Sequence, residues 1–359
     1  MANVLKAFKE NLFSEITEIP PLFQPHHLPS LDGLRGISII LVILYHTLIM
    51  GQYTGFNGMF GVNVFFVISG FIITTLLLKE KVNKGKISLA KFYTRRFLKI
   101  IPVAYFYLLV ITILNSYYKL LTISDILSAV FFIKNTDIIP TTWDVATGHF
   151  WSLSVEEQFY IVFPFILKKS TNSYWIIAVI LIIAIPILLN VDSKANDSKG
   201  LHFISDLLRY ITPILTGALC SVLVFKKIIT GRIYPNGLIV NLMLLFLAYE
   251  VYCGAGFMHG LYYKNLISSA LVALLIVNNI GYSKDLFFRM LNSKVLAGIG
   301  MASYSIYVWQ QLFLMWHPWQ GAFAYASSAW FNLLLLCLVS FCSYYFIERK
   351  LLVLKSRFR

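Results

Sequence analysis

Long apolar runs separated by short polar segments recur along the whole chain. Many of them approach or exceed the roughly 20 residues that a helix needs to cross a bilayer. The pattern therefore predicts an all-α, polytopic membrane protein with about ten transmembrane helices. We place these helices near residues 34–50, 60–78, 99–117, 155–168, 174–190, 203–225, 236–252, 264–280, 295–315 and 326–347.

One further apolar segment, Leu121–Ile133, is shorter than the others. If it crossed the membrane, every later loop would change sides, and both Lys168 and Lys169 would face outward. The distribution of positive charge therefore favours a re-entrant or interfacial segment near 121–133. The whole stretch 118–154 becomes an outer-side elaboration, and long loops of this kind often carry function.

Composition and charge agree with this class. Hydrophobic residues make up 58% of the chain, charged residues only 13%, and the mean hydropathy is +0.74. The net charge of +14 is compatible with a nucleic-acid partner, but its distribution argues against one. With a cytoplasmic N-terminus, 24 of the 30 Lys and Arg residues fall in inside segments, which is the bias that sets membrane orientation. We therefore expect both termini in the cytoplasm, a lipid bilayer as partner and no nucleic acid.

We expect one transmembrane domain over residues 34–347. A cytoplasmic N-terminal segment, 1–33, precedes it and a basic cytoplasmic tail, 348–359, follows it. The N-terminal segment has no short apolar core followed by a small-residue cleavage site, so we expect no cleaved signal peptide. No fused extracytoplasmic domain is expected.

The first apolar run carries ionisable side chains at both ends, in the stretch LDGLRGISIILVILYH. Arg35 and His46 are 11 residues apart, close to three helical turns, so they share one face about 16 Å apart. Asp32 falls near the same stripe. An ionisable residue within a span is a functional candidate by default. The ordinary alternative is an arginine that snorkels to the interface and a histidine that bonds a nearby carbonyl.

A basic block, Arg95, Arg96 and Lys99, lies at the cytoplasmic entrance of the third predicted span. A positive-inside anchor is the simpler interpretation. The functional alternative is a phosphate clamp, because the guanidinium group matches phosphate oxygens in bidentate fashion.

A pair of glutamates, Glu156 and Glu157, opens the fourth predicted span on the outer side, the same half as His46. Capping by Ser152 or Ser154 explains one acidic residue there, but not two. Adjacent helical residues point about 100° apart, so at most one of the pair faces a site within the bundle. A carboxylate in that place can orient an imidazole and stabilise its cation, as a general base requires.

Weaker polar signals complete the picture. Further candidates for the lining of an outer cavity are His202, Glu250, His259, Gln310 and Gln311, although a structural role is the simpler interpretation of each. Ser69-Gly70 at mid-membrane is more simply explained by close helix packing. The spacing of His, Cys and Asp predicts no metal site. The candidate substrate-binding residues are Asp32, Asn63, Glu157, Tyr160 and Arg209.

Six motifs follow one another along the chain: Arg35 with His46, GVNVFFVISGFIIT, RRFLKIIP, FWSLSVEEQFYIVFP, ASYSIYVWQQ and FIERK. Taken in this order, they resemble the acyltransferase-3 family of membrane acyltransferases. The resemblance covers residues 28 to 350, and the first and fourth motifs are the specific ones.

The resemblance implies a reaction: an acyl group, usually acetyl, moves from cytoplasmic acyl-CoA to a hydroxyl of a sugar or related acceptor at the outer face of a bacterial inner membrane. It also implies that His46 is the catalytic histidine, Arg35 its partner and Glu156 the first glutamate of the family motif. The basic block corresponds to the donor side. Whether His46 acts as a base or carries the acyl group stays open, and no residue is identified as an oxyanion donor. Many relatives have histidine where Gln310 stands, so a mechanism with a second histidine there is not implied.

Two other functions compete with this one. A transporter for a small polar metabolite would use the mid-membrane polar residues as a pathway, although the chain lacks the internal repeat typical of transporters. A scaffold in a glycan-synthesis complex would tolerate alanine at both His46 and Glu156.

Overall fold

The computed structural model describes residues 9–24, 28, 30–50, 57–119, 121–142, 144–192, 199–235, 237–254, 263–322 and 324–355. These residues form 14 α-helices, joined by turns and irregular segments, and no strand. The helices are α1 Leu31–Met50, α2 Met59–Lys84, α3 Leu89–Tyr118, α4 Ile123–Val130, α5 Phe150–Lys169, α6 Thr171–Asp192, α7 Lys199–Leu208, α8 Thr212–Phe225, α9 Leu238–Cys253, α10 Lys264–Ile280, α11 Leu286–Leu291, α12 Lys294–Gln311, α13 Ala329–Ser343 and α14 Arg349–Lys355. Two π-helical turns, Leu312–Trp316 and Tyr344–Glu348, follow α12 and α13.

Several helices have the length and composition of membrane spans. Within the described residues, four are long and apolar enough to cross a bilayer: Met59–Lys84, Leu89–Tyr118, Thr171–Val191 and Ala329–Leu354. Three shorter apolar helices, α8, α9 and α10, accompany them. The protein is therefore an all-α protein of membrane character, while the count of about ten spans stays a prediction.

The apolar run at 203–225 differs from the prediction of one helix. It forms two helices, α7 and α8, separated by a turn at 209–211. Pro213 lies in the first turn of α8. Proline lacks the N–H that an internal helical position needs but is tolerated in a first turn, so it favours a helix start at this point.

The described residues fall into two compact units, each made of separate chain segments. The first unit comprises Met1–Ser38, Val62–Ile87 and Phe159–Gly298, and the second comprises Ile39–Gly61, Ser88–Gln158 and Ile299–Arg359. Four of the five boundaries between them fall within α1, α2, α5 and α12, and the fifth lies between α2 and α3. A single helix thus contributes residues to both units.

In the first unit, α8 is buried along most of its length and packs against α6 and α10. Two glycines allow α2 to approach it closely: a Cβ on Gly70 would lie 1.9 Å from the Ile214 carbonyl oxygen. Phe23, in the short 3-10 turn before α1, packs its ring against Phe71 and Phe225. Close helix packing at the glycines and ring contacts between the phenylalanines together form the core of this unit.

In the second unit, α3 packs against α4, against α14 and against the π-helical turn Tyr344–Glu348. The other π-helical turn, Leu312–Trp316, packs against α13. π-Helical turns are rare and occur frequently at functional sites. This unit also contains His46, the basic block and both glutamates.

Candidate active site

The imidazole of His46 is fixed by its own helix. Its Nδ1–H donates a hydrogen bond to the Val42 carbonyl oxygen at 2.9 Å, because a carbonyl can only accept. The Tyr45 ring lies edge-on at 5.2 Å, and the side chain is half-buried. In the neutral ring this bond leaves the lone pair on Nε2, the nitrogen that can accept a proton from a substrate hydroxyl.

A second histidine, His149, belongs to the same unit and lies in the turn before α5. It is only 2% exposed, and the rings of Tyr107, Phe150 and Tyr307 surround it at 5.4, 5.0 and 5.6 Å. Neither ring nitrogen makes a hydrogen bond of normal geometry to any of the described residues. The side chain of Gln311 is close enough to stabilise a proton on the ring.

Burial lowers the pKa of His149 to about 4. A positive charge on His46 lowers this pKa further, whereas the Gln311 side chain, the Val308 carbonyl and Asp144 act to raise it. The two imidazoles are thus near enough to interact electrostatically. His149 is neutral at pH 7 and can act as a hydrogen-bond donor or acceptor beside His46.

The backbone around His149 is held by tight packing and hydrogen bonds. The Ser152 hydroxyl donates to the His149 carbonyl at 3.0 Å and lies 2.6 Å from the Tyr307 hydroxyl. Gly148 allows the turn to pass close to its neighbours, since a Cβ there would lie 2.7 Å from the Asp144 carbonyl oxygen and 3.6 Å from Gln311 Oε1. The first turn of α5 is therefore linked to α12 by the hydrogen bond between the Ser152 and Tyr307 hydroxyls, next to His149.

The two glutamates have different surroundings. The Oε1 atom of Glu157 is buried and has no hydrogen-bond partner in the part of the chain that the structure describes, and Arg96 acts on this carboxylate electrostatically. Glu156 acts on Tyr307, which also contacts the His149 ring. Of the pair, Glu156 is the one associated with the residues around His149, whereas Glu157 is associated with the basic block.

The basic block occupies successive turns of α3. Arg96 is only 9% exposed, and its guanidinium lies 5.7 Å from the Phe92 ring centroid. Arg95 and Lys99 are half-buried. A partly buried guanidinium with an ammonium one turn away is suited to binding phosphate oxygens.

A buried ion network lies within the segment that precedes α5. Lys134 donates to Asp125 Oδ1 at 2.9 Å and to Asp144 Oδ2 at 2.7 Å, and these side chains are 2%, 0% and 4% exposed. Thr142 donates its N–H and its hydroxyl to Asp125, at 2.9 and 2.7 Å. Burial raises the pKa of Asp125, but hydrogen bonds from Thr122, Thr142 and Lys134 outweigh burial and hold that pKa below its usual range.

Residues 28–349, which are most of the chain, match the acyltransferase-3 family, whose description is an acyltransferase domain. The chain belongs to the acyltransferase-3 family. The match covers the histidine of α1, the basic block of α3 and the glutamates of α5.

Relatives at the sequence level are bacterial. O-acetyltransferase OatA of Staphylococcus aureus (strain NCTC 8325 / PS 47) is 27% identical over 327 residues, covering 82% of this chain and 52% of the relative. The S. aureus (strain COL) protein SACOL0978 is 31% identical over 316 residues, covering 79% of this chain and 50% of the relative. The chain thus spans about half the length of the curated relatives it matches. No solved structure matches it.

The remaining predicted site residues of this acyltransferase-3 member belong to the first unit. The side chains of Asp32, Arg35, Asn63 and Tyr160 make the following contacts. Arg35 Nη1 lies 3.7 Å from Asp32 Oδ1, one turn away. The Asn63 amide pairs with the hydroxyls of Ser268 and Ser269 at 3.4 and 3.0 Å, and the Tyr160 hydroxyl lies 2.5 Å from Ser69 Oγ. Arg209 is exposed in the turn between α7 and α8, and His259 lies outside the described residues.

The ion network is the part of this unit that sequence reasoning missed. Lys134 is one of the six Lys and Arg residues that the predicted topology leaves on the outer side. Its partners lie nine and ten residues away, in opposite directions along an irregular segment, so no periodic spacing relates them. The one sequence signal is Thr122, which forms a capping box with Asp125 at the start of α4.

Proposed function

We propose that this chain is an O-acyltransferase that moves an acetyl group from cytoplasmic acyl-CoA to an acceptor hydroxyl at the outer face of a bacterial inner membrane. The acceptor is a cell-envelope or secreted glycan, or a lipid-linked sugar. Membership of the acyltransferase-3 family supports the reaction type, and the name of the S. aureus relative OatA supports acetyl as the group transferred.

The observation that carries this proposal is the hydrogen bond from His46 Nδ1–H to the Val42 carbonyl, which presents Nε2 as the base. Nε2 takes the proton from the acceptor hydroxyl, whose oxygen attacks the thioester carbonyl carbon. The tetrahedral intermediate collapses, the carbon–sulfur bond breaks, and the departing CoA thiolate takes the proton. Acyl-CoA and alcohol thus become ester and free CoA, with all atoms accounted for.

The charged residues of the chain divide between donor and base. We assign the phosphates of acyl-CoA to Arg95, Arg96 and Lys99, because Arg96 is partly buried and the block lies in a region expected to face the cytoplasm. We assign Glu156 to stabilising the imidazolium through the residues around His149. Arg35, on the same helix as His46, belongs to the cytoplasmic end of the path.

The proposed topology places both termini in the cytoplasm and about ten spans between them. Four long apolar helices and the excess of Lys and Arg on one side support it. In this topology the basic block faces the compartment that holds acyl-CoA, and His46 lies in the half that an outer acceptor reaches.

The test is release of free CoA from radiolabelled acetyl-CoA by the purified protein, with a hydroxyl acceptor or water as the second substrate. Wild type is compared with His46→Ala and with Thr47→Val as the matched control. Thr47 also donates to the carbonyl four residues earlier, at 2.8 Å, but offers no base.

General-base catalysis contributes about 10²- to 10⁴-fold, so we expect a loss of that size in His46→Ala and near-normal turnover in Thr47→Val. Full activity in folded His46→Ala would remove the role of the histidine. No turnover by folded wild type would remove the donor assignment, and flux of a polar metabolite into proteoliposomes would then be measured.

A further inference from the structure

One face of α12 carries a row of polar side chains in the interior of the second unit. Ser303, Tyr307, Gln310 and Gln311 fall within an arc of about 100° on a helix of 3.6 residues per turn. Ser303 and Gln310 are 0% exposed and Tyr307 is 8% exposed. We call these four residues the polar stripe. It runs along the helix rather than across it, ending at the first π-helical turn.

Most of the side-chain polar atoms in this stripe have no hydrogen-bond partner among the residues that the structure describes. They are Ser303 Oγ, both amide atoms of Gln310, and Gln311 Oε1. Buried polar atoms without a partner are rare in folded proteins, and each such group needs a specific reason. Gln310 is the clearest example of such a group. Its fully buried side-chain amide offers two N–H donors and one oxygen acceptor, and none of them is hydrogen-bonded to a described residue.

The stripe contacts His149. Tyr307 contacts the His149 ring at 5.6 Å, and Gln311 and Val308 act on the same imidazole, which in turn interacts with His46. Gln310 is one helical turn beyond Tyr307, on the same face. Trp309 points to the opposite side, where its ring meets Tyr107 at 5.3 Å.

The start of α1 packs closely against the backbone of α11 and α12. A Cβ on Gly33 would lie 2.0 Å from the carbonyl oxygen of Leu291, which ends α11, and one on Gly36 would lie 2.4 Å from that of Leu296 in the first turn of α12. At about 1.5 Å per residue, His46 lies about 15 Å along α1 from Gly36, and Tyr307 lies about 16 Å along α12 from Leu296.

An acyl transfer at His46 needs an oxyanion donor, and the sequence motifs identify no residue for that role. As the acceptor oxygen attacks the thioester, its carbonyl oxygen becomes an oxyanion and requires a preorganised donor in a water-excluded place. We propose that the Gln310 side-chain amide is that donor, its Nε2–H binding the carbonyl oxygen of the acyl group as charge develops there. This inference rests on the proposed function, because it assigns a residue to that reaction.

The test compares Gln310→Leu and Gln310→Met with Gln158→Leu. Gln158 is the matched control, since its amide is fully used: Nε2 donates to Asn135 Oδ1 at 2.8 Å and to the Phe132 carbonyl at 3.2 Å, and Oε1 accepts from Asn135 at 3.0 Å. For each protein, kcat and KM for acetyl-CoA are measured by CoA release, and thermal stability is measured in the same detergent.

Removal of one oxyanion donor costs about 10²- to 10³-fold in kcat, so we expect that loss in both Gln310 variants with KM for acetyl-CoA changed less than about threefold. Their thermal stability should be unchanged or higher, because the amide they remove has no partner. Gln158→Leu should show the reverse, a lower thermal stability with near-normal kcat. A Gln310→His variant, which restores an N–H donor, should recover part of the lost kcat.

Two outcomes overturn the inference. One is a kcat within about threefold of wild type in the Gln310 variants, and the other is loss of the fold in both of them, which would show a structural use of the amide. Failure of the proposed function looks different, because wild type itself would then release no CoA.

Discussion

Gly70 of α2 and Gly217 of α8 pack against each other's helix backbone in a reciprocal contact. A Cβ on Gly70 would lie 1.9 Å from the Ile214 carbonyl oxygen, and a Cβ on Gly217 would lie 1.9 Å from the Val67 carbonyl oxygen. Both obstructing atoms belong to helix backbone, so no side-chain rotation can relieve the overlap. The two helices can therefore approach this closely only with glycine at both positions.

Gly70→Ala and Gly217→Ala should each lower the free energy of unfolding by about 1–3 kcal/mol or more, because the helices must separate to admit a methyl group. Gly298→Ala is the control, since a Cβ on that glycine meets nothing within 4 Å. Alanine within an exposed helix position is favourable by up to about 1 kcal/mol relative to glycine. Thermal unfolding in detergent checks this, and equal effects at Gly70 and Gly298 would contradict it.

Tyr160→Phe separates a packing role from a substrate-binding role for this tyrosine. The hydroxyl lies 2.5 Å from Ser69 Oγ, so its removal should cost about 1 kcal/mol of stability, the net value of one hydrogen bond. Turnover of acetyl-CoA by the folded variant should stay close to that of wild type. A large rise in KM for the acceptor with unchanged stability would instead favour the substrate-binding interpretation.

Lys134→Met tests the buried ion network. Removing the lysine leaves the Asp125 and Asp144 carboxylates buried without their cation, which should lower the free energy of unfolding by about 3–5 kcal/mol. Lys119→Met is the control, because Lys119 is exposed at the end of α3. Thermal unfolding is the measurement.

Replacing the whole network should be milder than breaking it. The triple change Asp125→Asn, Lys134→Met, Asp144→Asn removes all three charges together, so no uncompensated charge is left in the interior. We expect the triple variant to be more stable than Lys134→Met alone. A triple variant less stable than the single one would show that the carboxylates stabilise the fold independently of the lysine.

Stability should depend on pH through His149. In the folded protein burial lowers the pKa of His149 to about 4 from 6.5, so between these values the unfolded chain binds more protons than the folded one. Stability therefore rises with pH in this window and is lost as pH falls, by up to about 3 kcal/mol between pH 6.5 and 4. His149→Gln should remove that part of the slope in thermal unfolding, and identical slopes in the two proteins would contradict this.

The apolar pattern predicted the helices well where hydrophobicity alone decides them. The run at 264–280 coincides with α10, whereas the run at 60–78 is only the apolar part of α2, which continues to Lys84. Hydropathy marks the part of a helix that suits lipid, but a helix continues into water as long as its residues favour it. Element ends are therefore less predictable than element identity.

The sequence predicts residue types for the candidate site but not how they assemble. His46 and Glu156 are candidates because ionisable groups are costly near lipid, and the basic block is one because guanidinium groups match phosphate oxygens. All of them lie in the second unit, and their roles stay predictions. The pairing of Asn63 with Ser268 and Ser269, by contrast, joins residues more than 200 positions apart. Such partners depend on tertiary packing, and a single sequence carries no signal for them.

The helix α12 does not stop at Gln311 but widens into the π-helical turn Leu312–Trp316. A π-helical turn holds about one residue more per turn than an α-helix, so deletion of one residue there would restore α-helical pitch while the downstream residues kept their direction. His317 and Trp319 would then keep their present orientation relative to Gln310. Relatives that differ by a one-residue gap at this turn should therefore share both the interior packing of α12 and the course of the loop beyond it.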